Sequence, residues 1–265
     1  MDTMFASQST WGQMRMRHAA QCIALAAMVL AMPAMADPPD FDRPGAGFAT
    51  SVLPAGGVAL EQGLPDWSRQ PGDSGALQGK YTADSLFRVG LGGPVELQLG
   101  GSLWNHLYGD GERRTGHGDS SVAMKVAPST NDDFSYALLG QMSFDNGTHD
   151  IGNGARQYTL GTTLGWKLQG DRQVTLFANL DRLQGSSTWT LAPVYTVPLS
   201  ENLQGYLEAD LIHDGQAGNE DLAGGGLALK LGDRAQADTF VLHRLGPRGA
   251  QWEAGLGISV YFGRL

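Results

Sequence analysis

Histidines are the residues of this chain most able to serve as metal ligands or as a catalytic base. No pair of them has the i, i+4 or other short spacing of a zinc site. A Ser–His hydrolase would need both side chains at one rim, but His243 and Ser259 belong to different predicted strands, far apart along them. The sequence therefore predicts no catalytic residue, no metal site and no cofactor. Four of the remaining histidines are predicted at strand ends or in loops: His106, His117, His149 and His213.

Charged residues at alternate positions form a second candidate set. In Val95–Leu99 and in most of Tyr158–Leu168, apolar residues alternate with polar ones, which is the period of a β-strand with two different faces. A Lys or Arg on the lipid face at mid-bilayer costs about 2–4 kcal/mol, so the charged face should line a lumen. We expect the following residues to face inward: Glu61, Arg88, Glu96, Lys125, Lys167, Asp181, Glu208, Asp210, Lys230 and Glu253.

Two roles are open for these inward charges. They could form a charged constriction that selects solutes, or a network of salt bridges that fills a small barrel and only stabilises it. In strand order the basic members Arg88, Lys125 and Lys167 come early, and acids dominate later. The first role therefore predicts a lumen that is basic on its early wall and acidic on its late wall, with Lys230 as the exception.

The elements that would position these charges are short alternating segments, and helical spacing is nowhere sustained. Tight turns such as Gln169–Asp171 and Gly232–Arg234 alternate with longer polar loops such as 68–84 and 108–117. This alternation places both termini on the short-turn side. We predict twelve strands, near 57–67, 85–92, 95–107, 118–127, 134–144, 156–168, 172–184, 187–198, 203–213, 221–231, 235–245 and 251–262.

A soluble sheet would also alternate, but its water-facing side should be rich in Lys and Glu. Here the polar face is mostly Gly, Ser, Thr and Ala with a few charges, which suits a narrow interior. Aromatic residues near segment ends, including Trp104, Trp166, Tyr206 and Trp252, suit interfacial girdles. The predicted fold class is all-β, a transmembrane up-and-down antiparallel β-barrel of about twelve strands.

Composition and the N-terminus indicate an exported protein. The chain has 265 residues, 17% of them charged, and a net charge of −9, which argues against a nucleic-acid partner. Residues 1–36 are typical of a signal peptide whose cleavage site contains Ala34 and Ala36, and translation from Met1, Met14 or Met16 would preserve it. Its removal takes away the single cysteine, Cys22. We expect an irregular periplasmic lead-in at 37–56 and the barrel at 57–265.

Several stretches resemble the outer-membrane transporter family named for the meta-cleavage (MetA) pathway of phenol degradation. The likeness lies in Asp42–Pro44, Leu53–Gly63, Leu86–Leu91 continuing into Val95–Leu97, and Gly118–Lys125. It covers the first half of the mature chain by motif and the second half by strand rhythm. The resemblance implies a barrel that passes small, often aromatic, compounds, and it brings no catalytic signature.

The last strand resembles the signal by which outer-membrane barrels are handed to the barrel-assembly machinery. Its candidate residues are Gly257, Ile258, Val260, Tyr261 and Phe262. The expected location is the bacterial outer membrane, and the expected partners are outer-membrane lipid, the assembly machinery and a small-molecule solute. We expect a passive channel that is not an enzyme. Two alternatives stay open, a barrel-embedded lipid hydrolase and a closed barrel whose loops bind a partner.

Overall fold

The computed structural model describes residues 40–71, 77–109, 111–128, 130, 133–215, 218–246 and 250–264. The expected signal peptide, with Ala34 and Ala36, lies outside the described residues. Within the described ranges, no helix is long and apolar enough to cross a membrane.

The described residues contain fourteen β-segments, and their alternating sequences account for them. The segments are β1 (Gly57–Gly63), β2 (Asp66–Pro71), β3 (Leu77–Gly92), β4 (Val95–Gly109), β5 (Glu112–Gly116), β6 (Ser120–Val126), β7 (Phe134–Ser143), β8 (Gln157–Leu168), β9 (Arg172–Leu183), β10 (Ser186–Pro198), β11 (Leu203–Asp214), β12 (Gly218–Lys230), β13 (Ala235–Arg244) and β14 (Trp252–Arg264).

These segments form twelve antiparallel strands in one closed sheet. Segments β1 and β2 are two parts of the first strand, since both pair with β3 on one side and with β14 on the other. Segments β5 and β6 likewise share the fourth strand, next to β4. Pairing of β1 with β14 closes the barrel. The predicted fold class is confirmed.

The prediction of long loops is wrong in two regions, because strands occupy most of each region. Region 68–84 contains the end of β2 and the start of β3, and region 108–117 contains the end of β4 and all of β5. The second strand is therefore long rather than short. At these ends the wall extends past the apolar band of a membrane, where neither face needs to be apolar, so the alternation that marks strands is lost.

A proline in the eighth strand is accommodated at a break in the ladder. Pro193 lies in β10 opposite Leu176 of β9, while the pairing of β10 with β11 lapses between Leu191 and Val194. Proline has no N–H to donate, which explains the lapse. The register is the same before and after it, so β10 remains part of the wall.

The outer face is apolar and carries aromatic residues towards both rims. Leu99, Leu160, Leu229 and Leu256 are exposed on it, as a lipid-facing surface requires. At the long-loop end His106 stacks between the rings of Trp104 and Tyr108, and at the short-turn end Phe134 packs on Tyr136 and Trp166. Tyr206 is the exception to the expected girdles, because its side chain is buried inside the barrel.

Residues 40–56 form an irregular stretch that we call the inserted segment. It is irregular as expected, but it lies inside the barrel and contacts wall residues on both halves of the sheet. It leads directly into β1 at Gly57. The expected division into a periplasmic lead-in and a separate barrel is therefore replaced by one unit in which the lead-in occupies the lumen.

Candidate solute path and the inserted segment

Three glutamates of the wall hold the backbone of the inserted segment. The Glu61 carboxylate accepts hydrogen bonds from the amides of Asp42 and Arg43, at 2.9 and 2.7 Å. Glu96 accepts one from the amide of Leu53 at 2.8 Å, and Glu208 accepts one from the segment at 3.1 Å. An irregular backbone has no ladder to satisfy its N–H groups, so these charged acceptors replace one.

Asp42 connects the segment to the early wall. Its carboxylate accepts hydrogen bonds from Lys125 Nζ at 2.8 Å and from Gln98 Nε2 at 2.7 Å, and it also bonds the amide of Ala49 within the segment. Burial alone would raise the pKa of the Asp42 carboxyl, but the cations of Arg88 and Lys125 outweigh that effect and lower it below its ordinary value.

Arg88 is the centre of this buried cluster. Its guanidinium contacts Glu61 at 2.6 Å and forms two hydrogen bonds to Glu96, at 2.8 and 3.0 Å. It also donates to the carbonyl oxygen of Asp40 at 3.1 Å, so it binds wall and segment together. Arg88 and Lys125 are both 0% exposed. Three carboxylates thus surround these two cations and neutralise them.

Arg43 performs the same task where the last strands meet the first. Its guanidinium pairs with Asp238 of β13 at 3.1 Å and with Asp66 of β2 at 3.4 Å. It crosses β14 at Gly257, where a Cβ atom would lie 2.4 Å from Arg43 Nε. A larger residue at position 257 would therefore shift the guanidinium from this position.

Apolar and backbone contacts also hold the inserted segment against the wall. Leu53 packs with Ala59 and Tyr261, and the ring of Phe48 meets Phe177 edge-on at 5.8 Å between centroids. The segment also passes directly over Gly90 of β3, where a Cβ atom would lie 2.1 Å from a segment carbonyl oxygen. Such close approach leaves no room for a side chain at this point of the wall.

Two cavities adjoin the segment inside the barrel. One of about 480 Å³ lies towards the short-turn end and is lined by Lys167 and Lys230 among others. The other, of about 230 Å³, lies towards the long-loop end and is lined by Asp66, Glu208 and Asp210 among others. Residues Arg43 to Gly45 contribute to both linings, so the segment separates the two cavities.

The structure brings together only part of the predicted set of inward charges. Lys167 and Lys230 stand exposed at the larger cavity, away from the buried cluster. Asp181 accepts hydrogen bonds from the neighbouring side chains of Gln157 and Asn179. Glu253 lines the smaller cavity. The expected basic early wall does not exist as such, because carboxylates neutralise its two innermost cations.

The residues that sequence reasoning missed are Asp42, Arg43 and their partners Gln98, Asp66 and Asp238. The available signal was the adjacent pair of opposite charges, Asp42 and Arg43, in a stretch that contains several Pro and Gly residues. The alternation rule could not find them, because the segment has no strand period.

The other candidate residues have structural surroundings. Among the described residues no group of three or more His, Asp or Glu side chains has the arrangement of a metal site. His243 packs against Trp252 on the outer face, 4.3 Å between ring centroids. In β14, Ile258 and Phe262 are exposed outward, whereas Gly257 and Tyr261 are buried inside. Val260 is intermediate in exposure. A role of these five residues in assembly stays a prediction.

Solved structures share this architecture. An outer-membrane channel from Pseudomonas putida F1 superposes with a TM-score of 0.66 at 10% identity, covering 86% of this chain and 100% of that one. The NanC porin gives 0.52 at 10% identity, covering 78% and 100%. The β-domain of the Bordetella autotransporter Brka gives 0.51 at 14% identity, with the same coverage. At such identities the likeness shows the fold.

Comparison with curated proteins gives no match. A family model does match, over residues 41–262, which include the inserted segment from Phe41 onward and nearly all of the wall. The resemblance noted in the sequence is thereby confirmed. The chain belongs to the family whose description reads "Putative MetA-pathway of phenol degradation".

Proposed function

We propose that this protein is a bacterial outer-membrane channel through which small solutes diffuse, aromatic compounds among them, and that the inserted segment narrows its lumen. The observation that carries the proposal is a closed wall that encloses cavities on both sides of a segment held by polar contacts. A barrel that served only as an anchor would be expected to fill its interior with packed side chains.

The comparisons support the general class. The solved barrel from Pseudomonas putida F1 is titled an outer-membrane channel, and the NanC structure is titled a porin. The family description supports aromatic compounds as the solute class, since phenol degradation requires that such compounds enter the cell. Neither hydrolase chemistry nor a cofactor is needed for diffusion.

Liposome swelling tests this function directly. Protein refolded into liposomes should admit arabinose and benzoate faster than protein-free liposomes do, and should exclude the much larger stachyose. A variant that lacks residues 40–53 should swell faster with the small solutes and begin to admit stachyose. Heat-modifiable migration of both proteins on a gel controls for closure of the barrel.

The same experiment separates the alternatives. If neither the full chain nor the shortened variant conducts, although both are heat-modifiable, the channel is refuted and a closed barrel with partner-binding loops takes its place. Release of fatty acid from the liposome phospholipid would instead indicate a lipid hydrolase.

A further inference from the structure

The smaller cavity has the charge of a binding site for a cation. Its lining includes the carboxylates of Asp66, Glu208, Asp210 and Glu253 and the single guanidinium of Arg43. Arg43 is already shared between Asp66 and Asp238. Lys80 also acts electrostatically on Glu253, but the acidic groups still outnumber the basic ones.

Within the described part of the chain, two carboxylate oxygen atoms in this lining have no hydrogen-bond partner. Asp210 is 6% exposed, and its Oδ1 atom has no hydrogen-bond partner among the described residues. The same holds for Oδ1 of Asp66, on the first strand. A buried carboxylate oxygen without a donor is destabilising, typically by more than a neutral group would be. A bound cation that donates a hydrogen bond to Asp210 would compensate the negative charge and satisfy the unpaired oxygen of that residue.

The cavity also has an apolar side, which narrows the class of ligand. Phe240, Leu242 and Pro44 line it together with the carboxylates. Its volume of about 230 Å³ lies just below the roughly 300–1,000 Å³ of typical small-molecule sites.

We propose that this cavity binds a small organic ammonium ion, with its charged head on Asp210 and its apolar part against Phe240 and Leu242. This inference goes beyond the proposed function, because binding can be measured without any bilayer or passage. An organic ammonium fits better than a metal ion, since no metal-site arrangement occurs among the described side chains.

Isothermal titration of the detergent-folded full-length protein with 2-phenylethylammonium tests the proposal. We expect saturable binding of one molecule per chain, and no binding of phenylacetate or 2-phenylethanol, which have the same ring without the positive charge. Asp210→Asn should weaken binding about tenfold or more, as expected for the loss of a charged hydrogen bond. Glu112→Gln, on a side chain that is 71% exposed, should bind as the unmodified protein does.

Several results would overturn the proposal. They are absence of saturable binding, equal binding of the uncharged ring compound, and displacement of the ammonium by equimolar Ca²⁺. If Asp210→Asn is not heat-modifiable, Glu253→Gln serves as the second variant, and unchanged affinity in a folded Glu253→Gln would then be decisive. Failure of liposome swelling leaves this binding result intact, so the two proposals fail independently.

Discussion

Replacement of Arg88 by methionine should destabilise the barrel severely. The methionine keeps much of the side-chain volume but removes the guanidinium that contacts Glu61 at 2.6 Å and Glu96 at 2.8 Å. All three side chains are 0% exposed, so water cannot replace the lost cation without opening the cluster. Removing one partner of a buried ion pair typically costs about 3–5 kcal/mol, and we expect a loss of that size in the free energy of unfolding.

The cost should come from the uncompensated carboxylates and not from lost packing. The triple variant Glu61→Gln, Arg88→Met, Glu96→Gln removes three of the five charges, leaves Asp42 paired with Lys125, and keeps amide oxygens that can still accept from the segment. We expect it to recover most of the loss, because a neutral buried cluster carries a smaller desolvation cost. Arg88→Lys should fall between, since an ammonium retains the charge but loses the two-point contact with Glu96.

Urea titration of the detergent-folded proteins, followed by tryptophan fluorescence, measures these free energies. The reasoning fails if Arg88→Met loses less than about 1 kcal/mol, which would indicate that water already reaches the cluster. It fails equally if the triple variant is as unstable as the single one, since packing would then dominate.

Three more predictions concern passage. Gly90→Ala would place a Cβ atom 2.1 Å from a carbonyl oxygen of the inserted segment, so the segment should be displaced and liposomes should swell faster with small sugars. Gly140→Ala, whose Cβ atom would have its nearest contact at 3.9 Å, should swell at the normal rate. Equal swelling rates for the two variants would argue against the described position of the segment. Lys167→Glu, at the larger cavity, should shift the zero-current potential in a salt gradient towards cation preference. Glu112→Lys, at the opposite rim, should leave this potential unchanged. If Lys167→Glu causes no shift, Lys167 does not line the solute path. The pKa of Asp42 is lowered in the folded protein, so its ionised form stabilises the bound inserted segment fully above the unfolded pKa of about 3.9. This stabilisation is lost as the pH falls through the lower folded pKa. Conductance should therefore rise in acid, and Asp42→Asn should abolish that rise.

The positions of the wall charges were predictable because a two-residue period fixes the face of every residue in a strand. Glu61, Arg88, Glu96 and Lys125 were assigned inward on that rule, and the structure buries all four. Their partner Asp42 was not predictable in this way. It belongs to a stretch without a period, and only the folded barrel brings it to Lys125, 83 residues further along the chain.

The strand ends show the same limit. Alternation marks only the part of a strand that passes through hydrocarbon, so it predicts a loop at residues 77–84, where the structure has the first half of β3. The role of the inward charges was also beyond the sequence. Whether a glutamate selects a solute or holds a backbone amide depends on what else enters the lumen, and no rule of spacing records that.

Closure of the barrel between its first and last segments sets an order for its assembly. Gly57 pairs with Arg264, so the final rung of the wall joins residues separated by almost the whole length of the barrel sequence. The ion cluster, by contrast, draws only on residues between Asp42 and Lys125, and its loop-closure entropy is correspondingly smaller. The early strands can therefore gather around residues 40–56 while the sheet is still open, and the late strands then wrap around an interior that is already occupied. A barrel made in this order never has to thread its own amino-terminal region through a finished ring.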